Sequence, residues 1–322
     1  MKRTALIFGI SGQDGTYLAK FLLSKGYKVH GTTRSLKSSP ISNLKNIGIL
    51  KQVVLHNLSI LDFKSTIQLI NKIMPHEIYN LSGQTSVALS FAHPVETQES
   101  IMQATKNILE AIRKSQMHIK LFNASSSECF GNTKGLPANE TTPHNPINPY
   151  AIAKSSAFKC VCEYRERYRL FATSGLLFNH ESPLRTDYFV TKKIALAAAK
   201  IALGSKECLN LGDLSIQRDW GWAPEFVIAM WQILQQKKPK DYVIATGHLS
   251  SLQDFVANAF QAVNLDWEQH VISDSSLIRP NEVKSIYGNP EKANKDLDWK
   301  ASIFAAEIAH RMTKYEFERL SA

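Results

Sequence analysis

The chain has 322 residues, of which 44% are hydrophobic and 20% charged, a balance typical of a globular enzyme and unlike disordered, collagen-like or heptad-repeat proteins. No window approaches the ~18 consecutive apolar residues of a membrane span, and four cysteines are too few for a disulfide scaffold, so we expect a reduced, cytoplasmic protein without a metal site. The formal net charge is +10, but the basic residues do not cluster, which favours anionic small molecules over nucleic acid as partners.

Short apolar runs alternate with helical stretches in the first half of the chain, and this pattern predicts a parallel sheet covered by helices on both faces. The predicted strands are residues 4–9, 28–33, 52–57, 77–81, 120–124 and 171–177. The predicted helices are residues 17–25, 65–73, 95–114, 192–202, 226–235, 252–262 and 303–320. The expected fold class is α/β: a Rossmann-type doubly wound parallel sheet with a smaller, less regular C-terminal substrate domain.

A glycine-rich turn directly follows the first predicted strand. Residues 9–15 read Gly-Ile-Ser-Gly-Gln-Asp-Gly, a G-x-x-G-x-x-G spacing that opens the first helix. Glycines allow a tight turn and a close approach to a pyrophosphate, which lies at the helix N-terminus where free N–H groups favour anions. Because the loop joins a strand to a helix, it predicts a dinucleotide site.

The end of the second predicted strand indicates which dinucleotide binds. An NAD enzyme usually places an acidic residue there, on the ribose 2′-hydroxyl. No Asp or Glu occurs between Gly15 and Leu61, whereas Arg34 is placed to meet a 2′-phosphate. The sequence therefore favours NADP, although Arg34 could also be a solvated arginine in a loop.

Four residues suggest acid–base chemistry. Tyr150 and Lys154 are four apart, so on a helix they share one face, and the lysine is expected to lower the pKa of the tyrosine towards that of a general base. Ser126 and Glu128 follow a predicted strand, where side chains face the ligand crevice. A hydroxyl there can bind a substrate oxygen and a carboxylate can remove a carbon-bound proton. Glu128 could alternatively stabilise a helix dipole.

Two further motifs complete a resemblance. Residues 179–183 read Asn-His-Glu-Ser-Pro and residues 218–221 read Arg-Asp-Trp-Gly. With the glycine loop, the Ser-Ser-Glu segment and the Tyr-x-x-x-Lys pair, they resemble the GDP-mannose 4,6-dehydratase family of extended short-chain dehydrogenases/reductases, over roughly residues 3–300.

The resemblance implies dehydration of GDP-mannose to GDP-4-keto-6-deoxymannose by an internal NADP-dependent redox cycle, as a step of deoxysugar biosynthesis, in a homodimer or homotetramer. Alternatives are a related GDP-sugar 4,6-dehydratase, a nucleotide-sugar epimerase, and a noncatalytic NADP-binding sensor, which the intact catalytic set disfavours. The resemblance further implies an NADP-binding Rossmann domain at residues 1–177. Residues 178–322 would mainly bind the nucleotide sugar, with some segments returning to the first domain.

The resemblance also implies roles for individual residues. The catalytic residues would be Ser126, Glu128, Tyr150 and Lys154. The cofactor-binding residues would be Gly9, Ile10, Ser11, Gly12, Gln13, Asp14, Gly15, Arg34, Asn57, Leu58, Leu81, Ser82, Gly83, Gln84, Thr85, Lys154, His180 and Arg185. The substrate-binding residues would be Asn179, Lys193, Arg218, Arg279 and Glu282. The chain departs from the family at several positions. Ser126 replaces a threonine, Ser35 replaces the second arginine of a pair, and Asn57 replaces an aspartate that usually faces the adenine.

Overall fold

The computed structural model describes residues 2–34, 41–277 and 283–322. Its strands are β1 (Thr4–Phe8), β2 (Lys28–Thr33), β3 (Val54–Asn57), β4 (Glu77–Asn80), β5 (Lys120–Ser126), β6 (Ala172–Leu177), β7 (Asn179–Glu181), β8 (Leu209–Leu211), β9 (Gln217–Arg218), β10 (Trp220–Trp222), β11 (Tyr242–Ile244), β12 (Ser250–Ser251), β13 (Val271–Ser273) and β14 (Ser285–Ile286). Its α-helices are α1 (Gln13–Ser24), α2 (Ser42–Asn46), α3 (Phe63–Ile73), α4 (Val87–Ala92), α5 (Pro94–Gln98), α6 (Ala104–Ser115), α7 (Pro149–Tyr168), α8 (Val190–Ala202), α9 (Ala223–Gln235), α10 (Leu252–Gln261), α11 (Glu291–Leu297) and α12 (Ala305–Ser321).

Seven parallel strands form the central sheet, in the order β11-β6-β5-β4-β1-β2-β3. The chain first forms the half of the sheet that runs from β1 through β2 to β3. It then crosses back and places β4 on the other side of β1. Ligands of such sheets bind at this reversal, beyond the carboxyl ends of the strands. The topology therefore sets the glycine loop after β1 next to the segments that follow β4 and β5.

Alternation along β1 explains why the sheet has a core on each face. Successive side chains of a strand point to opposite faces. Ile7 belongs to the cluster that includes Leu18 of α1 and Phe226 of α9. Its neighbour Leu6 belongs to the cluster that includes Ile108 of α6 and Val161 of α7. The fold class is thus confirmed as a Rossmann-type sheet between two helical layers.

The sequence prediction missed one strand of this sheet. All six predicted strands are present, but β11 also pairs with β6 and extends the sheet. At three residues, β11 is too short for its periodicity to separate it from a loop. The predicted helix at 95–114 is a continuous helical run from α5 to α6, with a π-helical turn at Glu99–Gln103.

A further hydrophobic cluster lies towards the C-terminus, where α8, α10 and α12 pack together. A buried ion pair between Lys192 of α8 and Glu316 of α12 joins two of these helices, and Arg319 also pairs with Glu316. Lys192 Nζ further donates to the carbonyl of Pro183 at 2.7 Å. Helix α12 is therefore tied to the segment that follows β7. Within the described ranges, no helix has the length and apolar character needed to cross a membrane.

Candidate active site

The glycine loop packs closely against neighbouring backbone only because two of its residues have no side chain. A Cβ on Gly9, whose φ is +86°, would lie 2.8 Å from the carbonyl oxygen of Leu81, and one on Gly15 would lie 2.2 Å from the carbonyl oxygen of Gly9. Gly12 is the N-cap of α1, and no side chain caps that helix. Its first-turn N–H groups therefore face the cradle, which fits the pyrophosphate of a dinucleotide.

Gln13 joins this loop to the segment after β6. Its amide donates to the carbonyl of His180 at 3.0 Å, and its carbonyl oxygen accepts from the hydroxyl of Ser182 at 2.7 Å. The same hydroxyl accepts from the backbone N–H of Leu184 at 3.1 Å. The predicted cofactor-binding residues Gln13 and His180 are thus brought together across 167 residues of sequence.

Asp14 of the glycine loop and His180 of β7 form an ion pair in which the histidine is buried and the aspartate is partly exposed. The His180 Nδ1 lies 2.7 Å from the carbonyl oxygen of Phe178 and Nε2 lies 2.8 Å from Asp14 Oδ2. Both partners accept hydrogen bonds, so both ring nitrogens must donate and the ring is an imidazolium. Burial lowers the pKa of His180, but the charge and hydrogen bond of Asp14 outweigh it and leave that pKa raised. Burial likewise opposes, without reversing, the lowering of the Asp14 pKa by His180.

We expect the stability contributed by this pair to depend on pH in both directions. It is lost as pH rises through the raised pKa of His180, and also as pH falls through the lowered pKa of Asp14. Asp14→Asn should therefore reduce the free energy of unfolding most between these two values, on the order of 3 kcal/mol. Denaturant unfolding of both proteins from acid to alkaline pH measures the difference, and a pH-independent difference would contradict the ion pair.

The residues after β4 line the next part of the crevice. Asn80 donates to Asn123 Oδ1 of β5 at 2.9 Å and accepts from the Ser82 hydroxyl at 2.5 Å, which fixes the turn that leaves β4. Gln84 donates to the carbonyl of Ser86 at 2.7 Å. The predicted cofactor residues Leu81, Ser82, Gly83, Gln84 and Thr85 thus form one turn, of which Leu81 directly contacts the Gly9 cradle.

Ser126, Tyr150 and Lys154 meet at the carboxyl end of β5. Ser126 ends the strand, while the other two lie one turn apart near the start of α7, and all three side chains are buried. Ser126 and Tyr150 share a hydrogen bond. Lys154 Nζ donates to the carbonyl of Ala124 at 2.8 Å and lies 5.8 Å from the centre of the Tyr150 ring. Three of the four predicted catalytic residues therefore form one cluster.

Burial controls the protonation of this cluster. It raises the pKa of the Tyr150 phenol, and the hydrogen bond with Ser126 acts in the opposite direction without reversing the shift. It also lowers the pKa of Lys154 to about 8. The expected lowering of the Tyr150 pKa is thus wrong for this structure, because loss of hydration outweighs the influences that favour the phenolate.

Glu128 lies two residues beyond Ser126, on a short 3-10 turn at Ser127–Phe130. Its backbone N–H donates to the Ser126 hydroxyl at 3.2 Å. Its carboxylate accepts from the side-chain amide of Asn148 at 3.0 Å. Asn148 is the N-cap of α7, the helix that carries Tyr150 and Lys154. The fourth predicted catalytic residue is thereby tied to the helix of the other two.

Four other predicted cofactor residues lie at or beyond the ends of three different strands. Arg34 is exposed at the end of β2, and Asn57 and Leu58, at the end of β3, line an open cavity. The Arg185 guanidinium pairs with the buried Glu181 at 3.1 Å and lies 3.5 Å from the centre of the Phe189 ring. Arg34 remains available to a ligand, whereas Arg185 is held by protein groups.

The predicted substrate residues that the structure describes lie on three elements, β7, α8 and β9. Asn179 starts β7, and Arg218, on β9, donates to the carbonyl of Gln217 at 2.9 Å. Lys193 donates to the carbonyl of Asn210 at 2.8 Å and lines a cavity of about 270 Å³ between α8 and β8. Three residues of the sequence analysis lie outside the described residues, namely Ser35, Arg279 and Glu282.

Asp219 is a buried residue whose role the sequence analysis did not identify. Its carboxylate accepts from the N–H of Thr246 at 2.8 Å, the hydroxyl of Thr246 at 2.7 Å and the N–H of Gly247 at 2.9 Å. Burial raises its pKa, although these donors act against the rise. Its place in the Arg-Asp-Trp-Gly motif was a signal, but its partners are distant in sequence. It holds the loop after β11 against the strand that carries Arg218.

A parallel Rossmann sheet with a glycine cradle and a buried Ser-Tyr-Lys cluster beyond its strand ends defines a short-chain dehydrogenase/reductase. A family model described as GDP-mannose 4,6 dehydratase matches residues 6–312. The GDP-mannose 4,6 dehydratase 2 of Caenorhabditis elegans is 40% identical over 348 aligned positions, which cover 100% of this chain and 91% of the relative. The chain therefore belongs to the GDP-mannose 4,6-dehydratase family.

Similarity extends to more distant proteins. The GDP-mannose 4,6 dehydratase of Homo sapiens is 38% identical over 342 positions, covering 98% of this chain and 92% of the relative. The crystal structure of a dTDP-glucose 4,6-dehydratase from Streptomyces venezuelae, with NAD bound, has a TM-score of 0.87. It covers 99% of this chain and 98% of that one at 17% sequence identity, a likeness of fold.

Proposed function

We propose that this protein removes water from GDP-mannose to form GDP-4-keto-6-deoxymannose, with a bound NADP that is regenerated in each cycle. The observation that carries the proposal is the position of Glu128 beside Ser126, on the turn tied through Asn148 to the helix of Tyr150 and Lys154. In this proposal residues 1–177 mainly hold the cofactor and residues 178–322 mainly hold the nucleotide sugar.

Each catalytic residue has a separate task in this reaction. When bound, the nicotinamide supplies a hydride acceptor for C4 and later the hydride donor for C6. In its phenolate form, which the positive charges of the oxidised nicotinamide and of Lys154 would favour when the cofactor is bound, Tyr150 Oη accepts the proton of the C4 hydroxyl, and the Ser126 hydroxyl binds the same substrate oxygen. The pKa of Lys154 is about 8, close to neutral pH, so this side chain can gain or lose a proton beside Tyr150. The new C4 ketone acidifies C5–H, so Glu128 can remove that proton while the C6 hydroxyl leaves as water.

An epimerase and a related GDP-sugar dehydratase are the competing functions. A 4-epimerase has no carbon-bound proton to remove at C5, so it would not need Glu128. We expect the purified protein to give a 4-keto-6-deoxy product from GDP-mannose, and not a C4 epimer. Product analysis by NMR with GDP-mannose, other GDP-sugars and dTDP-glucose tests this. A 4-epimer as product, or equal turnover of dTDP-glucose, would contradict the proposal.

We expect NADP to bind more tightly than NAD. No acidic residue occurs from Gly15 to Leu61 to bind a 2′-hydroxyl, and Arg34 is exposed at the end of β2. Arg34→Ala should weaken NADP binding by about 1.5–3 kcal/mol, the usual worth of a hydrogen bond to a charged group, and leave NAD binding unchanged. Calorimetry measures both. Lys28→Ala, at the opposite end of β2, is the control for charge alone, and an unchanged NADP affinity in Arg34→Ala would contradict the assignment.

We infer that two copies of the chain associate through α4, α5 and α7. These helices pack together and expose Leu89, Phe91, Val95 and Ile152, with Val95 69% exposed. Large apolar side chains exposed on helices that pack together favour a protein interface. Light scattering is expected to give a dimer or tetramer of the 36.1 kDa chain, and Val95→Glu should reduce that mass. The control is Ile272→Glu on β13, and a monomeric wild type would refute the association.

A further inference from the structure

Asn148 makes two hydrogen bonds that join separate parts of the active site. Its Oδ1 accepts from the backbone N–H of Ala151 at 2.8 Å, which caps the N-terminus of α7. Its Nδ2 donates to Glu128 Oε2 at 3.0 Å. The side chain is nine-tenths buried, with 7% of the residue exposed. One amide therefore contacts both the helix of Tyr150 and Lys154 and the carboxylate of Glu128.

The cap determines which end of the amide faces Glu128. A backbone N–H can only donate, so it must meet the amide oxygen, and the NH₂ group then points the other way. A carboxylate accepts through its oxygens, so the NH₂ group matches the ionised form of Glu128. The orientation that satisfies the helix is thus the one that holds a proton-accepting carboxylate.

We propose that Asn148 is a positioning residue that holds the Glu128 carboxylate directed at C5–H of the substrate. The inference deepens the dehydratase function and rests on it. A serine or aspartate would cap α7 as well as asparagine does, so the cap alone does not require an amide. The amide makes both contacts through two separate atoms, whereas a serine hydroxyl, although it can also donate, is shorter by one bond and lies farther from Glu128 when it caps the helix. The C4 oxidation step, which uses Tyr150, should not depend on that donor.

Two substitutions separate the contact with Glu128 from the cap. Asn148→Ser keeps a capping oxygen and removes the NH₂ donor. Asn148→Asp keeps the cap and sets a second carboxylate against Glu128, which favours the protonated form of the pair. Asn148→Ala removes both functions and is the reference for loss of the cap. We expect the thermal midpoint to fall in Asn148→Ala and to stay near the wild-type value in the other two variants.

The readouts are reduced-cofactor formation in a single turnover, which follows C4 oxidation, and solvent deuterium incorporation at C5, which follows proton removal. In Asn148→Ser, proton removal should slow about tenfold or more while C4 oxidation keeps its rate. In Asn148→Asp, the acid limb of the pH profile for proton removal should move to higher pH by about one unit or more. Proton removal at the wild-type rate in Asn148→Ser, or an unmoved acid limb in Asn148→Asp, would overturn the proposal. Equal slowing of both steps would also overturn it, by assigning Asn148 to the cap alone.

A spectroscopic measurement keeps this test independent of the proposed function. The infrared carboxylate band of Glu128 can be isolated by subtracting the spectrum of Glu128→Gln. Its titration midpoint should be higher in Asn148→Asp than in wild type, whatever substrate the enzyme uses, and an unchanged midpoint would refute the contact. If wild type gives no dehydrated sugar from GDP-mannose while the midpoint still moves, the proposed function fails and the contact between Asn148 and Glu128 stands.

Discussion

Glu128→Gln is expected to slow the loss of water from GDP-mannose by roughly 10²–10⁴, the usual contribution of a positioned acid–base group. Glutamine keeps the size of the side chain and can still accept a hydrogen bond from Asn148, but it cannot take a proton from C5. Oxidation at C4 depends on Tyr150 and Lys154 and should survive at least partly. The variant should therefore accumulate reduced cofactor with bound substrate and release little 6-deoxy product.

Absorbance at the reduced-nicotinamide band and product NMR measure these two steps separately. In heavy water, wild type should place deuterium at C5 and Glu128→Gln should not. Tyr150→Phe is the matched comparison, since it should stop the cycle before reduced cofactor forms. If Glu128→Gln yields the 4-keto-6-deoxy sugar at nearly the wild-type rate, Glu128 only stabilises its helical turn and its assignment to elimination is wrong.

Gly15→Ala should damage both the fold and the dinucleotide site. The added Cβ would lie 2.2 Å from the carbonyl oxygen of Gly9 and 2.7 Å from the Cα of Ile10, both backbone atoms that cannot rotate away. Forcing the loop open costs at least the 1–3 kcal/mol of ordinary overpacking, so the free energy of unfolding should fall by about that much or more. Cofactor affinity should fall with it, because the displaced loop no longer aligns its N–H groups with the start of α1.

Gly12→Ala is the matched control in the same loop. Its Cβ would meet only the Gly9 carbonyl oxygen at 3.5 Å, an ordinary contact, and its φ of −72° suits any residue. The free energy of unfolding should stay near the wild-type value. Cofactor affinity should fall at least tenfold, because the methyl group would occupy the space of the pyrophosphate. Denaturant unfolding and cofactor titration give both numbers, and wild-type affinity in Gly12→Ala would place the pyrophosphate elsewhere.

The sequence predicted the sheet because local patterns carry most of it. Alternation and helical periodicity located six strands, and the glycine spacing located the turn after β1. The missed strand β11 is held by its pairing with β6 and by burial of all three of its residues. Neither property can be read from a three-residue segment. Likewise, the π-helical turn between α5 and α6 depends on backbone hydrogen bonding that the side-chain period does not record.

The site could be predicted where its residues are close together in one sequence motif. It could not be predicted where the contacts join residues that are far apart in sequence. Ser126, Tyr150 and Lys154 meet as the spacing suggested, but the direction of the Tyr150 pKa shift depends on burial, which only the structure supplies. The ion pair of Asp14 and His180 joins two recognised motifs across 166 residues. Asn148 escaped notice because its importance lies in two contacts, with Ala151 and with Glu128, and not in its type.

The contacts between distant segments also determine the order in which parts of the protein become structured during synthesis. Gln13 is fixed by His180 and Ser182, the neighbouring Pro183 is held by Lys192, and Lys192 is paired with Glu316. During synthesis from the N-terminus, the glycine loop is made long before α12, yet its full set of supports depends on that helix. Contacts of such long sequence separation form slowly. A nascent chain can therefore build much of its sheet early and still acquire a rigid dinucleotide loop only after α12 has left the ribosome and docked.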